Sequence, residues 1–198
     1  MFQISMDDIK RLRELTGGSI SLCKKALEES GGDMEKAIFK LKKSSEALAE
    51  KKSATRTAGA GLVEAYIHGN KKVGVLLELR CETDFVARNS AFQVLAHDIA
   101  LHIAGMKPLY VSKEQIPDDA RKEAEAIFSE EALRQAQGKP DLKDKILQGK
   151  LDAHFRDTSL LSQQFVKDQS ITIEELIKQS SGTFGEKIEV AKFERFEV

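Results

Sequence analysis

The segment LVEAYIHGNKKVGVLLELRCETDFVAR, residues 62–88, decides the fold of this chain. Two runs of strand-forming residues, 62–67 and 73–79, flank five residues with turn chemistry, His68 to Lys72. The second run is apolar almost throughout, so we expect both faces of that strand to be covered. The segment therefore predicts a β-hairpin with a buried second strand.

The same segment ends in a turn that leaves a carboxylate, Asp84, beside a bare phenyl ring, Phe85. A carboxylate can disturb a cation or phosphate site, and a phenyl ring can wedge into an apolar gap, which favours insertion into a partner over catalysis. Two structural alternatives stay open. Thr83 or Asp84 can cap the following helix, and most phenylalanines are ordinary core residues.

Upstream of the hairpin, residues 1–45 predict three short helices separated by pairs of glycines. Ser5 with Asp8 resembles a capping box at the first helix, and Asp33 is placed to cap the third. So small a unit buries only a modest core. We therefore expect some of its apolar surface to serve a partner.

Residues 46–60 predict a linker, because Ala, Ser, Thr, Gly and Lys replace the helical periodicity there. The stretch around it is basic. We interpret it as a solvated helix end and linker, with a phosphate-binding arm as the less favoured alternative; its cations are Lys40, Lys42, Lys43, Lys51, Lys52 and Arg56.

The core domain is predicted to span residues 61–198. After the hairpin comes a helix, with Ser90 and Gln93 as its capping box, whose apolar face comprises Phe92, Leu95, Ala96, Ile99 and Ile103. Residues 112–180 read as helical, and residues 187–198 as a strand whose apolar period slips in the middle. This order predicts an α+β fold, in which a small antiparallel sheet of the hairpin plus the C-terminal strand is covered by helices.

The charge balance argues against nucleic acid as a direct partner, because 31 Lys plus Arg face 32 Asp plus Glu. Two cysteines do not make a disulfide framework, and the N-terminus lacks the pattern of a secretory signal. No uncharged apolar run reaches membrane-spanning length. We expect a cytoplasmic chain with no membrane association.

Enzyme chemistry finds weak support in the residues. Cys81 with His97 and His102 would suggest a thiol nucleophile, but the neighbouring Glu82 and Asp84 raise a thiol pKa. A buried structural cysteine is the favoured interpretation, with a thiol hydrolase as the alternative. The two histidines are five residues apart and share no helix face, so we predict no metal site and no cofactor.

Four stretches in the same order along the chain resemble signatures of translation elongation factor Ts: residues 12–27, 83–89, 160–168 and 193–196. The resemblance covers nearly the whole chain and is closest to the short type with a single core unit. It implies a guanine-nucleotide exchange factor that promotes GDP release from the GTPase elongation factor Tu during polypeptide elongation. Such a factor transfers no atoms and is not an enzyme.

The resemblance also assigns roles to individual residues. It implies that residues 1–45 form a bundle similar to ubiquitin-associated domains, which docks on the nucleotide-binding domain of the partner through Leu12, Arg13, Thr16, Gly17, Ile20 and Lys24. It implies that the core presents a second segment to the magnesium and phosphate site of GDP-bound elongation factor Tu: Thr83, Asp84, Phe85, Val86, Ala87, Arg88 and Asn89. Asp84 and Phe85 match the intruding pair.

Three positions depart from the family pattern, namely Ala60, Arg80 and Gln164, and none of them is a residue assigned to exchange. The single core unit implies a homodimer formed through the sheet face, or a two-to-two complex with the partner. The alternative of another class is an adaptor similar to ubiquitin-associated domains, which would bind through residues 1–45 alone.

Overall fold

The computed structural model describes residues 4–16, 20–41, 57–136 and 140–198. Its fold is α+β, as the order of predicted elements indicated. The helices are α1 (Met6–Thr16), α2 (Ile20–Glu29), α3 (34–41), α4 (Asp84–Ala87), α5 (Ser90–Met106), α6 (Asp118–Gln135), α7 (Pro140–Thr158) and α8 (Ile173–Phe184). The strands are β1 (Ala60–Ile67), β2 (Val73–Cys81), β3 (Gln164–Phe165), β4 (Asp168–Thr172) and β5 (Glu189–Glu197).

Helices α1 to α3 enclose a small apolar core, as predicted for residues 1–45. Its buried residues are Ile9, Leu12, Cys23, Ala26, Leu27, Ala37 and Leu41. The predicted capping box is confirmed, because the Asp8 amide donates to Ser5 Oγ at 3.0 Å and the Ser5 amide donates to Asp8 Oδ2 at 3.3 Å. The Lys36 amide donates to Asp33 Oδ1 at 3.1 Å, so the cap predicted for the third helix is confirmed too.

The predicted hairpin and the C-terminal strand form one antiparallel sheet with the order β1-β2-β5. The central strand β2 buries alternate residues, Val75, Leu77, Leu79 and Cys81. Leu76 and Arg80 on its other face are exposed, so the expectation that both faces of this strand are covered was wrong. The predicted slip in β5 is also present. Ile188 and Val190 are buried before it, whereas beyond it Phe193 and Arg195 are half-buried and the exposed residues are Lys192, Glu194 and Phe196.

Gly61 is required where β1 meets β2. Its φ is +152°, and a Cβ placed there would lie 2.3 Å from the carbonyl oxygen of Leu79. No side chain fits at that separation, because real Cβ atoms do not approach backbone oxygens so closely. The glycine allows the two strands to approach each other at this point.

Two further predictions for the core were wrong. Residues 112–180 were expected to form helices joined by turns, yet β3 and β4 pair antiparallel inside that range, with Gln164 opposite Thr172. Strands this short have too few residues for their period to be separated from that of a helix. The capping box of Ser90 with Gln93 was also wrong, because Asn89 Oδ1 accepts the Ala91 amide at 2.9 Å and so caps α5.

The chain divides into two compact units. One comprises Met1–Glu64, Leu77–Asp98 and Glu175–Ala191, and the other comprises Ala65–Leu76, Ile99–Glu174 and Lys192–Val198. Of the predicted linker 46–60, the residues up to 56 lie outside the described part of the chain. The first unit contains the turn after β2, where the candidate site lies.

Candidate functional site

Thr83 organises the turn that follows β2. Its backbone is extended, with φ −131° and ψ 151°, and its Oγ1 accepts the Val86 amide at 3.4 Å. Thr83 is therefore the N-cap of the one-turn helix α4, as the capping interpretation predicted. A capped turn is also a rigid support for the side chains that it carries.

Helix α4 buries one side and exposes the other. Val86 and Ala87 are buried, whereas Asp84 and Phe85 are exposed, and Phe85 has 83% of its surface accessible to solvent. The alternative that Phe85 belongs to the core is therefore wrong. Asp84 and Phe85 line a surface depression together with Arg88 and Asn89. An exposed phenyl ring on a short rigid turn is available to enter an apolar gap in another molecule.

A carboxylate that the sequence analysis did not single out holds this turn. Glu186 Oε2 accepts the amides of Glu82 at 3.1 Å and Thr83 at 3.0 Å, and Glu186 Oε1 accepts the Thr83 hydroxyl at 2.6 Å. In the opposite direction, the Lys187 amide donates to Glu82 Oε1 at 2.6 Å. The segment that carries Asp84 and Phe85 is thus tied to the chain between α8 and β5 by four hydrogen bonds.

Cys81 lies under the same turn and is buried. Its Sγ donates to the carbonyl oxygen of Thr83 at 3.2 Å. Burial, followed by the negative charges of Glu186 and Asp84, raises the pKa of the Cys81 thiol above its ordinary value. A thiol in these surroundings is a poor nucleophile, so the geometry favours the structural interpretation of Cys81.

The two histidines of α5 form hydrogen bonds with different partners. His97 Nδ1 lies 2.9 Å from Glu64 Oε1, whereas His102 Nε2 lies 2.9 Å from Gln163 Oε1 in a buried position. Within residues 4–16, 20–41, 57–136 and 140–198, no three metal-ligating side chains converge on one point. Of the helices in these ranges, none is both long and apolar enough to cross a membrane.

Comparison with known proteins covers almost the whole chain. The sequence profile of the family described as Elongation factor TS matches residues 19–198. The chain is 47% identical to elongation factor Ts of Thermotoga petrophila over 199 residues, which is 99% of this chain and 96% of the relative. It is 48% identical to that of Leptospira biflexa serovar Patoc over 197 residues, 98% of each chain.

The chain belongs to the elongation factor Ts family. Elongation factor Ts of Coprothermobacter proteolyticus is 47% identical over 195 residues and covers 98% of both chains. These relatives place the protein in translation elongation and protein biosynthesis. The resemblance that rested on residues 12–27 and 83–89 is confirmed.

The bundle residues that elongation factor Ts signatures singled out do not share one environment. Arg13, Ile20 and Lys24 are exposed on α1 and α2. Thr16 is half-buried and donates its hydroxyl to the carbonyl oxygen of Leu12, whose own side chain lies in the bundle core. Gly17 lies outside the described residues.

One exposed apolar residue of the bundle, Leu15, was not predicted as part of the elongation factor Ts site. Leu15 lies at the end of α1, and Ile20 lies at the start of α2. Their exposure agrees with the apolar surplus expected of the bundle.

The three positions that depart from the elongation factor Ts pattern lie on strands β1, β2 and β3. Arg80 pairs with Glu78 on β2, with Nη2 and Oε1 2.6 Å apart. Ala60 begins β1, and Gln164 is an exposed residue of β3.

The outer face of the strands in the second unit carries three large apolar side chains, beside the charged Lys192 and Glu194. Ile67, Leu76 and Phe196 are exposed, and Phe196 has 65% of its surface accessible. The Ile67 side chain lies over Gly74, where its Cδ1 would be 3.1 Å from an added Cβ. A solvated sheet face normally carries polar side chains, so this one is suited to a contact.

Proposed function

We propose that the chain is a guanine-nucleotide exchange factor for the GTPase elongation factor Tu and promotes release of GDP from it in the cytoplasm. Membership of the elongation factor Ts family supports this function. The exposure of Phe85 on a capped turn, beside Asp84, is the single observation that carries the mechanism. The chain transfers no atoms and therefore acts without being an enzyme.

The mechanism follows from the chemistry of the two exposed side chains. Phe85 enters between partner side chains and shifts a helix that helps to organise the metal site, while Asp84 approaches the magnesium and phosphate region. Loss of magnesium coordination removes the positive charge that holds the diphosphate. By linkage, GDP weakens binding of the factor as much as the factor weakens binding of GDP.

The energy needed is within reach of one inserted aromatic residue. A hundredfold weakening of GDP binding corresponds to about 2.7 kcal/mol. Full burial of one phenylalanine side chain contributes ~1.5–3 kcal/mol. Since Phe85 begins almost fully exposed, nearly all of its surface is available for burial in the complex.

The remaining parts of the chain bind the partner and position the Phe85 turn against it. We place a bundle similar to ubiquitin-associated domains in residues 1–45, a linker in 46–60 and the core in 61–198. The bundle docks on the nucleotide-binding domain of GDP-bound elongation factor Tu through the exposed Arg13 and Lys24 and their neighbours. The near-zero net charge supports a protein partner without direct contact to nucleic acid.

The apolar sheet face supports a homodimer, or a two-to-two complex with elongation factor Tu. Ile67, Leu76 and Phe196 would be covered by the same residues of a second copy across a twofold axis. The dimer would also cover the exposed face of the three-stranded sheet that the described residues form.

The test of the exchange function is turnover. Elongation factor Tu loaded with a fluorescent GDP is chased with excess unlabelled nucleotide, without the chain and with a substoichiometric amount of it. Exchange predicts that one chain releases GDP from many partner molecules, and that a GTPase outside translation is unaffected. An unchanged release rate at all concentrations of the chain would refute the proposed function.

A further inference from the structure

Glu186 occupies a special place in the first unit, because it is the carboxylate that holds the turn carrying Phe85. Its two oxygens accept three hydrogen bonds from Glu82 and Thr83, at 2.6 to 3.1 Å. The contacts join residues 103 and 104 positions apart in the chain. The acceptor of these hydrogen bonds therefore comes from a part of the chain that is distant in sequence from the turn.

The chain around Glu186 is itself fixed. Gly185 has φ +72°, which ends α8 in the left-handed conformation, and its amide donates to the carbonyl oxygen of Ser181 at 2.9 Å. The preceding Phe184 packs edge-on against Phe92 of α5, with ring centroids 6.0 Å apart. Glu186 therefore projects from a braced helix end, which gives the turn a rigid anchor.

We propose that Glu186 is a positioning residue for nucleotide exchange: it fixes the Thr83 turn so that Asp84 and Phe85 are presented in the orientation that enters the partner. This proposal rests on the proposed function and extends it to a residue outside the motif. Glu186 acts through Thr83 and is not required to touch the partner.

The hydrogen-bond directions explain how the position is transmitted. The Thr83 hydroxyl donates its proton to Glu186, so its lone pairs face the amide of Val86 in α4. Removal of the carboxylate leaves two backbone amides without this acceptor and releases the hydroxyl to rotate. The turn then samples several orientations, and only a fraction of molecules presents Phe85 productively.

A pair of substitutions at Glu186 separates geometry from charge. Glu186→Ala removes every acceptor. Glu186→Gln keeps one oxygen for the two amides, and its NH₂ group donates to Thr83 Oγ1, so most of the geometry is retained. Glu189→Gln is the matched control, because Glu189 lies three residues further on and pairs with Lys187 instead of the turn.

The readout is the rate of release of fluorescent GDP from elongation factor Tu, measured over a range of chain concentrations. The proposal predicts that Glu186→Ala lowers the maximal rate about tenfold or more, while the half-saturating concentration changes by less than about threefold. The half-saturating concentration changes little because the bundle still binds the partner. Glu186→Gln recovers most of the rate, and Glu189→Gln matches the native chain.

A second set of variants covers the case in which Glu186→Ala fails to fold. Thr83→Val removes the hydroxyl with little change of shape and should lower the maximal rate, whereas Thr83→Ser should restore it. Where Glu186→Ala folds, it should lower the maximal rate less in the Thr83→Val background than in the native chain, because both substitutions remove the contact between Thr83 and Glu186. Amide exchange at Thr83 should be faster in folded Glu186→Ala than in the native chain.

Each outcome decides the matter. If the native chain accelerates release and Glu186→Ala does so equally, the positioning role is refuted and the exchange function stands. An equal loss in Glu186→Gln and Glu186→Ala would also refute positioning by hydrogen bonds. If the native chain itself gives no acceleration, both the exchange function and this proposal are refuted.

Discussion

Phe85 and Val86 are neighbours in the chain and have opposite environments, because Phe85 is 83% exposed whereas Val86 is 5% exposed. The one-turn helix α4 produces this contrast by directing consecutive side chains outward and inward. The larger apolar side chain is the one exposed to solvent. Such exposure lowers solubility and does not help the chain to fold, which indicates a contact with another molecule.

This contrast predicts different effects on stability. Phe85→Ala should leave the free energy of unfolding within about 0.5 kcal/mol of the native value, because an exposed ring makes few contacts. Val86→Ala should lower it by about 2 kcal/mol through the lost burial and the cavity. Denaturant unfolding measures both. A large loss of stability in Phe85→Ala would contradict the exposed position of the ring.

His102 predicts a dependence of stability on pH. The Val166 amide donates to its Nδ1 at 3.2 Å, so the neutral ring carries its proton on Nε2 and donates to Gln163. Burial lowers the pKa of His102 in the folded chain, against the opposing effect of the Gln163 hydrogen bond. The unfolded chain therefore binds a proton at His102 at a higher pH than the folded chain does.

The sign of the effect follows from this linkage. The contribution of His102 to stability is complete above about pH 6.5, the ordinary histidine pKa, and is lost as the pH falls toward the lower folded value. Urea unfolding of the native chain and His102→Gln, between about pH 7.5 and 5, measures it. The difference between the two should change only below about pH 6.5; a constant difference would contradict the assignment.

Cys81 should be unreactive in the native chain. Its burial and the nearby Glu186 raise the pKa of the thiol, so little thiolate is present at neutral pH. Alkylation with iodoacetamide, followed by mass spectrometry of the peptide that contains Cys81, should be at least about tenfold slower in the folded than in the denatured chain. Rapid labelling of the folded chain would instead favour the alternative in which Cys81 is a reactive nucleophile.

Gly61 should tolerate no side chain. Gly61→Ala is expected to lower the free energy of unfolding by about 2 kcal/mol or more, because the new Cβ would collide with the Leu79 carbonyl. Gly59→Ala is the control, since a Cβ at Gly59 meets no atom within 4 Å. Equal melting temperatures for the two variants would show that β1 and β2 are further apart than described.

The sheet face gives a prediction for assembly. Sedimentation at a chain concentration on the order of tens of micromolar should give twice the chain mass, and Phe196→Glu should give the monomer, because a charge would be buried at the twofold contact. Phe85→Ala should remain dimeric, which separates the two exposed phenylalanines. A strictly monomeric native chain would refute the homodimer.

Features written in local sequence could be predicted, and those made by distant residues could not. The contact of Ser5 with Asp8 and the hairpin around His68 depend on residues a few positions apart, so their spacing was sufficient. The bond between Thr83 and Glu186 joins positions 103 residues apart, and no period or motif links them. Strand β3 was missed because two residues carry no period.

Phe85 shows a different limit. The sequence placed it correctly just after the second strand of the hairpin, but its environment depends on the direction in which α4 leaves the turn. That direction is set by the Thr83 cap and by Glu186, and the second of these comes from the far end of the chain. General burial statistics favoured the core, and tertiary contacts decided for the surface.

Stopped-flow release of fluorescent GDP from elongation factor Tu, with the chain at saturating concentration, tests the central claim most directly. The native chain and Ile127→Ala, which shortens an exposed apolar side chain on α6, should accelerate release equally. Phe85→Ala should fold normally and lose about tenfold or more of that acceleration, corresponding to ~1.4 kcal/mol or more. Full acceleration by folded Phe85→Ala would contradict exchange by insertion of this ring.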